Sequence, residues 1–467
     1  MGRSVEDRPS LCRAFDDPGD EGDQFAAHAG GEAFVLGRAE GAEGVAGLII
    51  AFAAKVRGHA DQGDGTDLGG PGTEQVEPVE HRAKPGQAVV AQQLVDAADL
   101  QQLLDAAEGR PALYFAVPPA VAEKACVALA DVTIPEGTIL ALEKPFGTDE
   151  ASAHALNLQV AKLVPEEQVF RIDHFLGRST VLNLLGVRFA NRLIESVWSA
   201  DDIAGITVDY PEKLGLEGRA GYYDHAGALV DMIQSHLLQV MAFVTMEPPA
   251  SLDQRDLRDA TSAVLRATHV WSDDPVKNSR RARYTEGTVG DRHFTSYADE
   301  PGVDAARETE TLAEMTVEVR TARWEGVPIV LRSGKGLGSD AGDPAVTVTF
   351  KPVRHLPNGF VGESTPSVLT FSLGPDTMSL GLNVNGAADP LELERVTLGA
   401  DLGEGGLKAY GEVLSGILDG DAMLAVRGDA AEQCWRIVQP VIDAWRAGEV
   451  PLDEYPAGTA GPASWGL

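Results

Sequence analysis

Acid–base chemistry is first suggested by His236, which lies on the apolar stripe of the segment Ala226–Val244, where apolar residues recur at helical spacing. An imidazole accepts a substrate proton near neutral pH when a carboxylate orients its other ring nitrogen. Asp173, at the end of a short apolar strand, is a candidate for that carboxylate. On the pattern alone, a histidine hydrogen-bonded within the core is the more common alternative.

Asp173 and His174 directly follow the predicted strand Val169–Ile172. The carboxyl ends of strands are the edge at which open α/β sheets bind their ligands. The same two residues ahead of a glycine are equally typical of an ordinary turn with a carboxylate at a helix entry. The position therefore favours a site, and the residue types alone leave both alternatives open.

Cationic side chains follow two other predicted strands. Lys144 precedes Pro145, which restricts the lysine to extended conformations and so directs its ammonium group. Arg332 and Lys335 flank a serine and a glycine and offer a cradle for an anion. A solvated surface lysine and a solvated turn are the more common alternatives at these two places. The cluster Lys277–Arg283 is interpreted as a solvated face that pairs with carboxylates.

The elements that must position these residues form two regions. Short apolar strands alternate with helices from about residue 94 to residue 177, which is typical of a parallel sheet covered on both faces. The predicted elements are Ala97–Ala107, Leu113–Val117, Val121–Leu129, Ile139–Leu142, a helix from Asp149 to Leu163, and Val169–Ile172. From about residue 180 to residue 455, long helices mix with alternating strands such as Met315–Arg323, Val327–Leu331 and Val346–Phe350. This second pattern predicts an α+β domain built on an antiparallel sheet.

Length and charge exclude several classes of protein. The 467 residues suggest two or three domains, and 38 Lys plus Arg against 71 Asp plus Glu give a formal net charge of −33. Such a charge repels nucleic acids and anionic membranes. Apolar runs such as Gly47–Ala54 fall short of the ~18 residues that a membrane helix needs, and no signal-peptide pattern begins the chain. Cys12, Cys126 and Cys434 lie too far apart to indicate a disulfide framework or a metal site, so we expect a protein of the reducing cytoplasm without a metal.

Five motifs, in order and in spacing, resemble those of the glucose-6-phosphate dehydrogenase family. The motifs are Glu143-Lys144-Pro145-Phe146-Gly147, Arg171-Ile172-Asp173-His174-Phe175-Leu176-Gly177, Arg219-Ala220-Gly221-Tyr222-Tyr223-Asp224, Asp231-Met232-Ile233-Gln234-Ser235-His236 and Arg323-Trp324-Glu325-Gly326-Val327-Pro328. The similarity extends from about residue 93 to the C-terminus, where Tyr455-Pro456-Ala457-Gly458 also matches.

The resemblance implies an α/β protein with a Rossmann-like parallel-sheet domain, followed by a larger α+β domain with an antiparallel sheet. It implies oxidation of C1 of glucose 6-phosphate to the lactone with reduction of NADP, in the pentose phosphate pathway. It also implies a homodimer or a homotetramer. The resemblance assigns the general base to His236 and its orienting carboxylate to Asp173. The residues implied to contact substrate are Lys144, His174, Arg178, Glu212, Asp231 and Lys335, and those implied to contact cofactor are Lys144, Tyr114 and Pro118.

The chain departs from the family at several positions. Phe175 and Arg178 stand where the family usually has tyrosine and lysine, and Asp340 replaces a second cation five residues after Lys335. Charge is kept at Arg178, although a guanidinium fork differs from a point-like ammonium. An acidic residue at 340 would oppose a sugar phosphate, so substrate affinity or identity could differ from the family's.

The largest departure is the segment 1–92, which lacks the family's strand and Gly-x-x-Gly-Asp-Leu turn. The sequence Gly63–Gly69 has a similar spelling but follows polar residues instead of an apolar strand, so we reject it as a phosphate-binding turn. Glycine-rich clusters such as Asp16–Asp23 and Gly58–Gly72 predict loop or disorder. The composition suggests a wrong-frame translation until about residue 90. Residues 93–178 would then be the remainder of the cofactor domain, and residues 179–467 the substrate and dimerisation domain.

Two other functions are compatible with part of the pattern. One is a Glu-Lys-Pro-containing oxidoreductase that acts on an unphosphorylated sugar or polyol. The other is a catalytically silent sugar-phosphate-binding protein with an incomplete cofactor site. Assays with free glucose against glucose 6-phosphate, and calorimetry with the cofactor, would separate them.

Overall fold

The computed structural model describes residues 34–40, 46–54, 96–105, 107, 110–117, 119–403 and 409–466, with backbone alone for the first two ranges. Three sequence-based expectations fall outside these residues: the loops at Asp16–Asp23 and Gly58–Gly72, and the cofactor contact at Pro118.

The strands of the described chain, in order, are β1 Phe34–Glu40, β2 Ala46–Ala54, β3 Arg110–Ala116, β4 Ile139–Glu143, β5 Val169–Ile172, β6 Ile203–Pro211, β7 Thr268–Val270, β8 Ser279–Thr285, β9 Gly287–Val289, β10 Arg292–Phe294, β11 Leu312–Val319, β12 Ile329–Gly334, β13 Ala345–Phe350, β14 Val368–Ser372, β15 Thr377–Asn385, β16 Leu393–Asp401, β17 Ala425–Val426 and β18 Leu452–Pro456.

The α-helices of the same residues are α1 Ala97–Asp105, α2 Pro119–Ala128, α3 Glu150–Val160, α4 Ser179–Phe189, α5 Arg192–Glu195, α6 Ala220–Ala228, α7 Leu238–Thr245, α8 Gln254–Ala267, α9 Ala409–Asp419 and α10 Gly428–Arg446. A π-helix, Leu229–Leu237, joins α6 to α7. Short 3-10 turns include His174–Gly177, directly after β5.

The predicted parallel sheet is confirmed in its central part. β3, β4 and β5 pair in parallel, and β17 adds an antiparallel strand beside β5. Each central strand is almost entirely buried because α9 covers one face of the sheet and the main core covers the other. The carboxyl ends of β4 and β5 therefore place Lys144 and Asp173 at one edge.

The N-terminal segment contains strands that the sequence pattern did not indicate. β1 pairs antiparallel with β2, and β2 pairs antiparallel with the whole of β3. Loss of the family's first strand would by itself leave the edge of β3 exposed, but the backbone of β2 covers that edge. The strand direction also differs from that of a Rossmann-like sheet, in which neighbouring strands are parallel.

The second sheet has the strand order β16-β15-β14-β13-β6-β12-β11-β8-β18, with β7 paired to β11, and β9 and β10 form a separate antiparallel pair. Most pairs are antiparallel, as predicted. The pairs β6–β12 and β8–β18 are parallel instead. Predicted boundaries also shift: Met315–Arg323 is observed as Leu312–Val319, since the chain turns at Thr321 to bury Trp324.

One stretch of the described chain, Ala220–Thr245, is long and apolar enough to cross a membrane, and 94% of its most apolar window is buried inside the protein. Every residue of α7 is buried. This stretch is therefore the central helix of the core, and it carries Asp231 and His236 to the site.

Candidate active site

Asp173 and His236 form a buried pair. Nδ1 of His236 lies 2.5 Å from Oδ1 of Asp173, and the two side chains are 2% and 1% exposed. The same Oδ1 accepts a hydrogen bond from the backbone N–H of Phe175 at 3.0 Å, which caps the turn His174–Gly177. Asp173 is thus both a helix-entry carboxylate and the partner of a histidine, so the two alternatives for this residue are compatible.

The electrostatic environment makes His236 a base. Burial lowers the pKa of His236, although the attraction of Asp173 opposes this shift. Burial raises the pKa of Asp173. The charge and hydrogen bond of His236, together with the charges of His174 and Lys144, outweigh this effect and hold the pKa at about 2. Near neutral pH, an ionised Asp173 therefore orients a neutral imidazole through Nδ1. Nε2 makes no hydrogen bond within the described part of the chain and is free to accept a proton.

The helix around His236 differs from the prediction. The apolar stripe predicted one α-helix over Ala226–Val244, but the chain breaks at Gly227, which has φ of +66°, and continues as a π-helix. A π-turn adds a residue to each turn and rotates the side chains that follow. Asp231, Gln234, Ser235 and His236 are all buried as a result.

Lys144 is held by Asp231. Its Nζ donates to the backbone carbonyl of Asp231 at 2.6 Å and lies 3.4 Å from Oδ1 of the same residue. The lysine side chain is 19% exposed, so the solvated alternative is wrong. Burial raises the pKa of Asp231, and the charges of Lys144 and Lys335 outweigh it and lower the pKa. The pair joins the strand end of β4 to the helix of His236.

Lys335 forms a second buried ion pair, with Glu212 at 2.7 Å, just beyond β6. Its Nζ lies 5.3 Å from the ring centroid of Tyr223, and its side chain is 2% exposed. Arg332 pairs with Asp209 across the parallel strands β6 and β12. The predicted solvated turn at this place is therefore wrong, and Arg332 is used within the sheet instead of in an anion cradle.

His174 and Arg178 lie on the other side of the dyad. The ring of His174 stacks on Tyr410 of α9, with centroids 5.2 Å apart and planes at 8°. Arg178 donates to the carbonyl of Leu373 at 2.8 Å and to the hydroxyl of Tyr210 at 3.0 Å. Among the described residues Arg178 pairs with no carboxylate, so its charge is available to an anion.

Tyr410 is a site neighbour that sequence analysis missed. It is the second residue of α9, far along the chain from His174. Gly177 makes the contact close, because a Cβ there would lie 2.4 Å from the carbonyl oxygen of Ala409. The glycine in the Asp173–Gly177 motif was the available signal that another backbone approaches, but it does not identify which one.

Tyr114 lies in β3 with its hydroxyl hydrogen-bonded to the carboxylate of Glu143. Burial raises the pKa of Glu143, and it also raises the pKa of Tyr114. Tyr114 is buried in the small core under α9. Its predicted contact with a cofactor remains a prediction.

Asp173, His174 and His236 also form the one group of three potential metal ligands within the described residues, with ligand atoms within 4.8 Å of one another. Two atoms that ligate one Zn²⁺ at about 2.0–2.2 Å in tetrahedral geometry lie well over ~3 Å apart. The 2.5 Å contact of Asp173 and His236 instead fits a hydrogen bond. The geometry favours a proton-transfer dyad over a metal centre.

Comparisons with known proteins bear on both regions. Residues 79–183 match the model of the glucose-6-phosphate dehydrogenase NAD-binding domain, and residues 185–466 match that of the glucose-6-phosphate dehydrogenase C-terminal domain. The glucose-6-phosphate 1-dehydrogenase of Gluconobacter oxydans is 38% identical over 357 residues, which are 75% of this chain and 72% of that protein. Glucose-6-phosphate 1-dehydrogenase 2 of Mycobacterium tuberculosis is 36% identical over 371 residues, which are 76% and 71% of the two chains.

Solved structures of glucose-6-phosphate dehydrogenases are also similar to this chain. The crystal structure of glucose-6-phosphate 1-dehydrogenase from Mycobacterium avium superposes with a TM-score of 0.70 at 32% identity, covering 79% of this chain and 78% of that one. A glucose-6-phosphate dehydrogenase in complex with glucose-6-phosphate gives a TM-score of 0.66 at 31% identity, covering 75% and 72%.

Proposed function

The chain belongs to the glucose-6-phosphate dehydrogenase family, and we propose that it oxidises C1 of glucose 6-phosphate to the lactone by hydride transfer to NADP. The observation that carries the proposal is the buried pair of Asp173 and His236, 2.5 Å apart at the carboxyl edge of the parallel sheet. The reaction is the first oxidative step of the pentose phosphate pathway. The comparisons favour neither an unphosphorylated polyol as substrate nor a catalytically silent binding protein.

The dyad acts on the C1 hydroxyl. Nε2 of His236 accepts the hydroxyl proton while the C1–H electron pair leaves as hydride and the C1–O bond becomes a carbonyl. Asp173 holds Nδ1 protonated and stabilises the imidazolium that forms. When bound, the nicotinamide supplies the hydride acceptor.

The sugar phosphate is held between two ion-paired groups and Arg178, a cation that has no carboxylate partner in the described part of the chain. Asp231 and Glu212 accept hydrogen bonds from sugar hydroxyls, and each carboxylate is held in place by its own lysine, Lys144 for Asp231 and Lys335 for Glu212. His174 and Arg178 contact the phosphate. A cation without a carboxylate partner is suited to this role because no internal ion pair must first be broken.

A nicotinamide cofactor fits the carboxyl edge of the three parallel strands. β3, β4 and β5 end there, and Lys144 follows β4 directly. Lys144, Tyr114 and Pro118 are the residues proposed to hold the cofactor. We assign NADP in preference to NAD on the family's reaction.

The proposed function also assigns a role to each domain. Residues 93–178 form the remainder of the cofactor domain, and residues 179–467 form the substrate and dimerisation domain. The outermost strand β16 is largely exposed and its neighbour β15 is mostly half-buried, and they carry Leu398 and Val384 at 59% and 38% exposure. An exposed apolar sheet face supports a homodimer or a homotetramer, which light scattering on the purified chain would measure. A cytoplasmic location follows from the reaction and the acidic composition.

The test is His236→Asn, with His225→Asn as the matched control on the exposed side of α6. Loss of the general base lowers kcat by roughly 10²–10⁴. Calorimetry should show that His236→Asn still binds glucose 6-phosphate. Activity of His236→Asn within a few-fold of the control, or equal rates with free glucose and glucose 6-phosphate in the unaltered protein, would overturn the proposed function.

A further inference from the structure

Glu310 lies where the helix of His236 begins. Its Oε1 accepts a hydrogen bond from the backbone N–H of Leu229 at 2.9 Å, and its backbone carbonyl accepts one from Ala228 at 3.3 Å. Leu229 is the first residue of the π-helix, and the first amides of a helix have no partner within it. Glu310 lies two residues before β11, so a residue outside the helix supplies the missing hydrogen-bond acceptor.

Gly227 leaves space for this carboxylate. A Cβ at Gly227 would lie 2.2 Å from Oε1 of Glu310, and φ of +66° at Gly227 is a conformation that other residues rarely adopt. The break between α6 and the π-helix is therefore shaped around the Glu310 side chain. The residue is only 7% exposed.

The first turn that Glu310 holds also carries Asp231, two residues after Leu229. Asp231 bonds Lys144 through both its carbonyl and its carboxylate. His236 follows on the same helix and bonds Asp173. A shift of the helix start would change the distances between these partners across the cleft.

We propose that Glu310 is a positioning residue for the reaction, whose ionised carboxylate fixes the start of the helix and thereby the spacing of Asp231 and His236. The proposal rests on the proposed function for its effect on turnover. A carboxylate accepts hydrogen bonds from backbone amides more strongly than a neutral group does. Protonation of Glu310 therefore loosens the helix start.

Among the ionisable groups at this place, Glu310 is the one that changes charge near neutral pH. Burial raises the pKa of Glu310 to about 7, while the N–H of Leu229 and the charge of Arg281 oppose the shift. The groups that face Glu310 are Arg281 of β8, Tyr223 of α6 and Tyr297 after β10. Burial raises the pKa of both phenols, so they stay neutral over the range in which Glu310 changes charge.

The experiment compares the full chain with Glu310→Gln, which keeps the shape of the side chain but mimics its protonated state at every pH. We expect kcat/KM for glucose 6-phosphate to be about tenfold lower in Glu310→Gln at about pH 8.5 and nearly equal in the two proteins at about pH 5.5. A purely structural loss would give the same ratio at both pH values. Glu318→Gln is the matched control, since it neutralises a glutamate within β11 that bonds Arg320 instead.

Hydrogen exchange of residues 229–237 gives a readout that does not need turnover. We expect faster exchange in Glu310→Gln than in the unaltered chain at about pH 8.5, and equal exchange at about pH 5.5. Equal exchange at both pH values, or a pH-independent ratio of kcat/KM, overturns the proposal. If the exchange difference appears in a chain that does not oxidise glucose 6-phosphate, Glu310 still positions the helix and the proposed function fails separately.

Discussion

The ring of Phe175 stacks on the imidazole of His236, with centroids 4.1 Å apart and planes at 12°. The guanidinium carbon of Arg178 lies 4.2 Å from the same Phe175 centroid. Phe175 therefore contacts both the base and the guanidinium group, and its stacked ring restricts the plane of the imidazole.

Replacing Phe175 with leucine should lower kcat more than it changes KM. The stacked ring restricts His236 on one face, and a leucine leaves both a gap and a mobile base, so we expect kcat to fall about tenfold and the free energy of unfolding to fall by about 1–2 kcal/mol. Steady-state kinetics and denaturant unfolding measure the two effects.

Phe294→Leu is the control for Phe175→Leu, because Phe294 is equally buried in a separate core cluster. It should lose stability and keep kcat. A Phe175→Leu enzyme with unchanged kcat would show that stacking does not orient the base.

Arg178→Lys should raise the KM for glucose 6-phosphate by about 3–10-fold and change kcat less, since the phosphate is remote from C1. Lysine restores the family's usual residue, but one ammonium cannot keep the planar stack on Phe175 while it reaches both Leu373 and Tyr210. Arg192→Lys, on a side chain that is 88% exposed, is the control. An unchanged KM would remove Arg178 from the phosphate site.

His174 should make the folded protein sensitive to acid. Burial and the charge of His236 lower the pKa of His174 from 6.5 to about 4. A histidine with a lowered pKa binds its proton more readily when unfolded, so stability is present above about pH 6.5 and is lost as the pH falls toward 4. The loss from this one group is about 3 kcal/mol by pH 4.

Melting temperatures recorded across this pH range test the effect of His174. His174→Gln should melt at a less pH-dependent temperature than the unaltered chain, whereas His225→Gln, on an exposed residue, should not differ from it. If His174→Gln keeps the full acid sensitivity, other groups are responsible.

Much of the site could be predicted from sequence because its residues lie at the ends of short apolar strands. β5 and the Asp173–Gly177 motif are observed at the predicted positions, and His236 lies on a buried stripe. The π-helix could not be predicted, because it begins at the break at Gly227 and at the contact of Leu229 with Glu310, a tertiary contact that the apolar stripe does not encode. Tyr410 and Glu310 are brought in by tertiary packing, which local patterns do not encode.

The parallel pairing of β6 with β12 could not be predicted either, because it also depends on tertiary packing. Alternating strands indicate a half-buried face but not the direction of a neighbour. Arg332 was thus expected in a turn, although its partner Asp209 lies directly across the sheet in that register.

The N-terminal segment is the subject of the last prediction, which is that the chain as written binds NADP weakly or not at all, so the kinetic comparisons above are made with NADP in large excess. In a dinucleotide-binding sheet, the glycine turn follows the carboxyl end of a strand that is parallel to its neighbours. β2 runs antiparallel to β3, so its carboxyl end at Ala54 lies at the edge opposite Lys144 and Asp173.

Calorimetry on one preparation, first with NADP and then with glucose 6-phosphate, measures how strongly the chain binds each of them. We expect heat from the sugar phosphate and little from NADP, since the described strand next to β3 runs antiparallel to it, while Asp173, His236 and Lys335 are in place. Resequencing the 5′ region of the gene is the complementary measurement. If the wrong-frame proposal holds, another frame will encode an apolar strand and a Gly-x-x-Gly-Asp-Leu turn that join the present sequence near Leu94. A confirmed N-terminus together with ordinary rates of NADP reduction would contradict it, and Gly63–Gly69 would then be the turn to mutate.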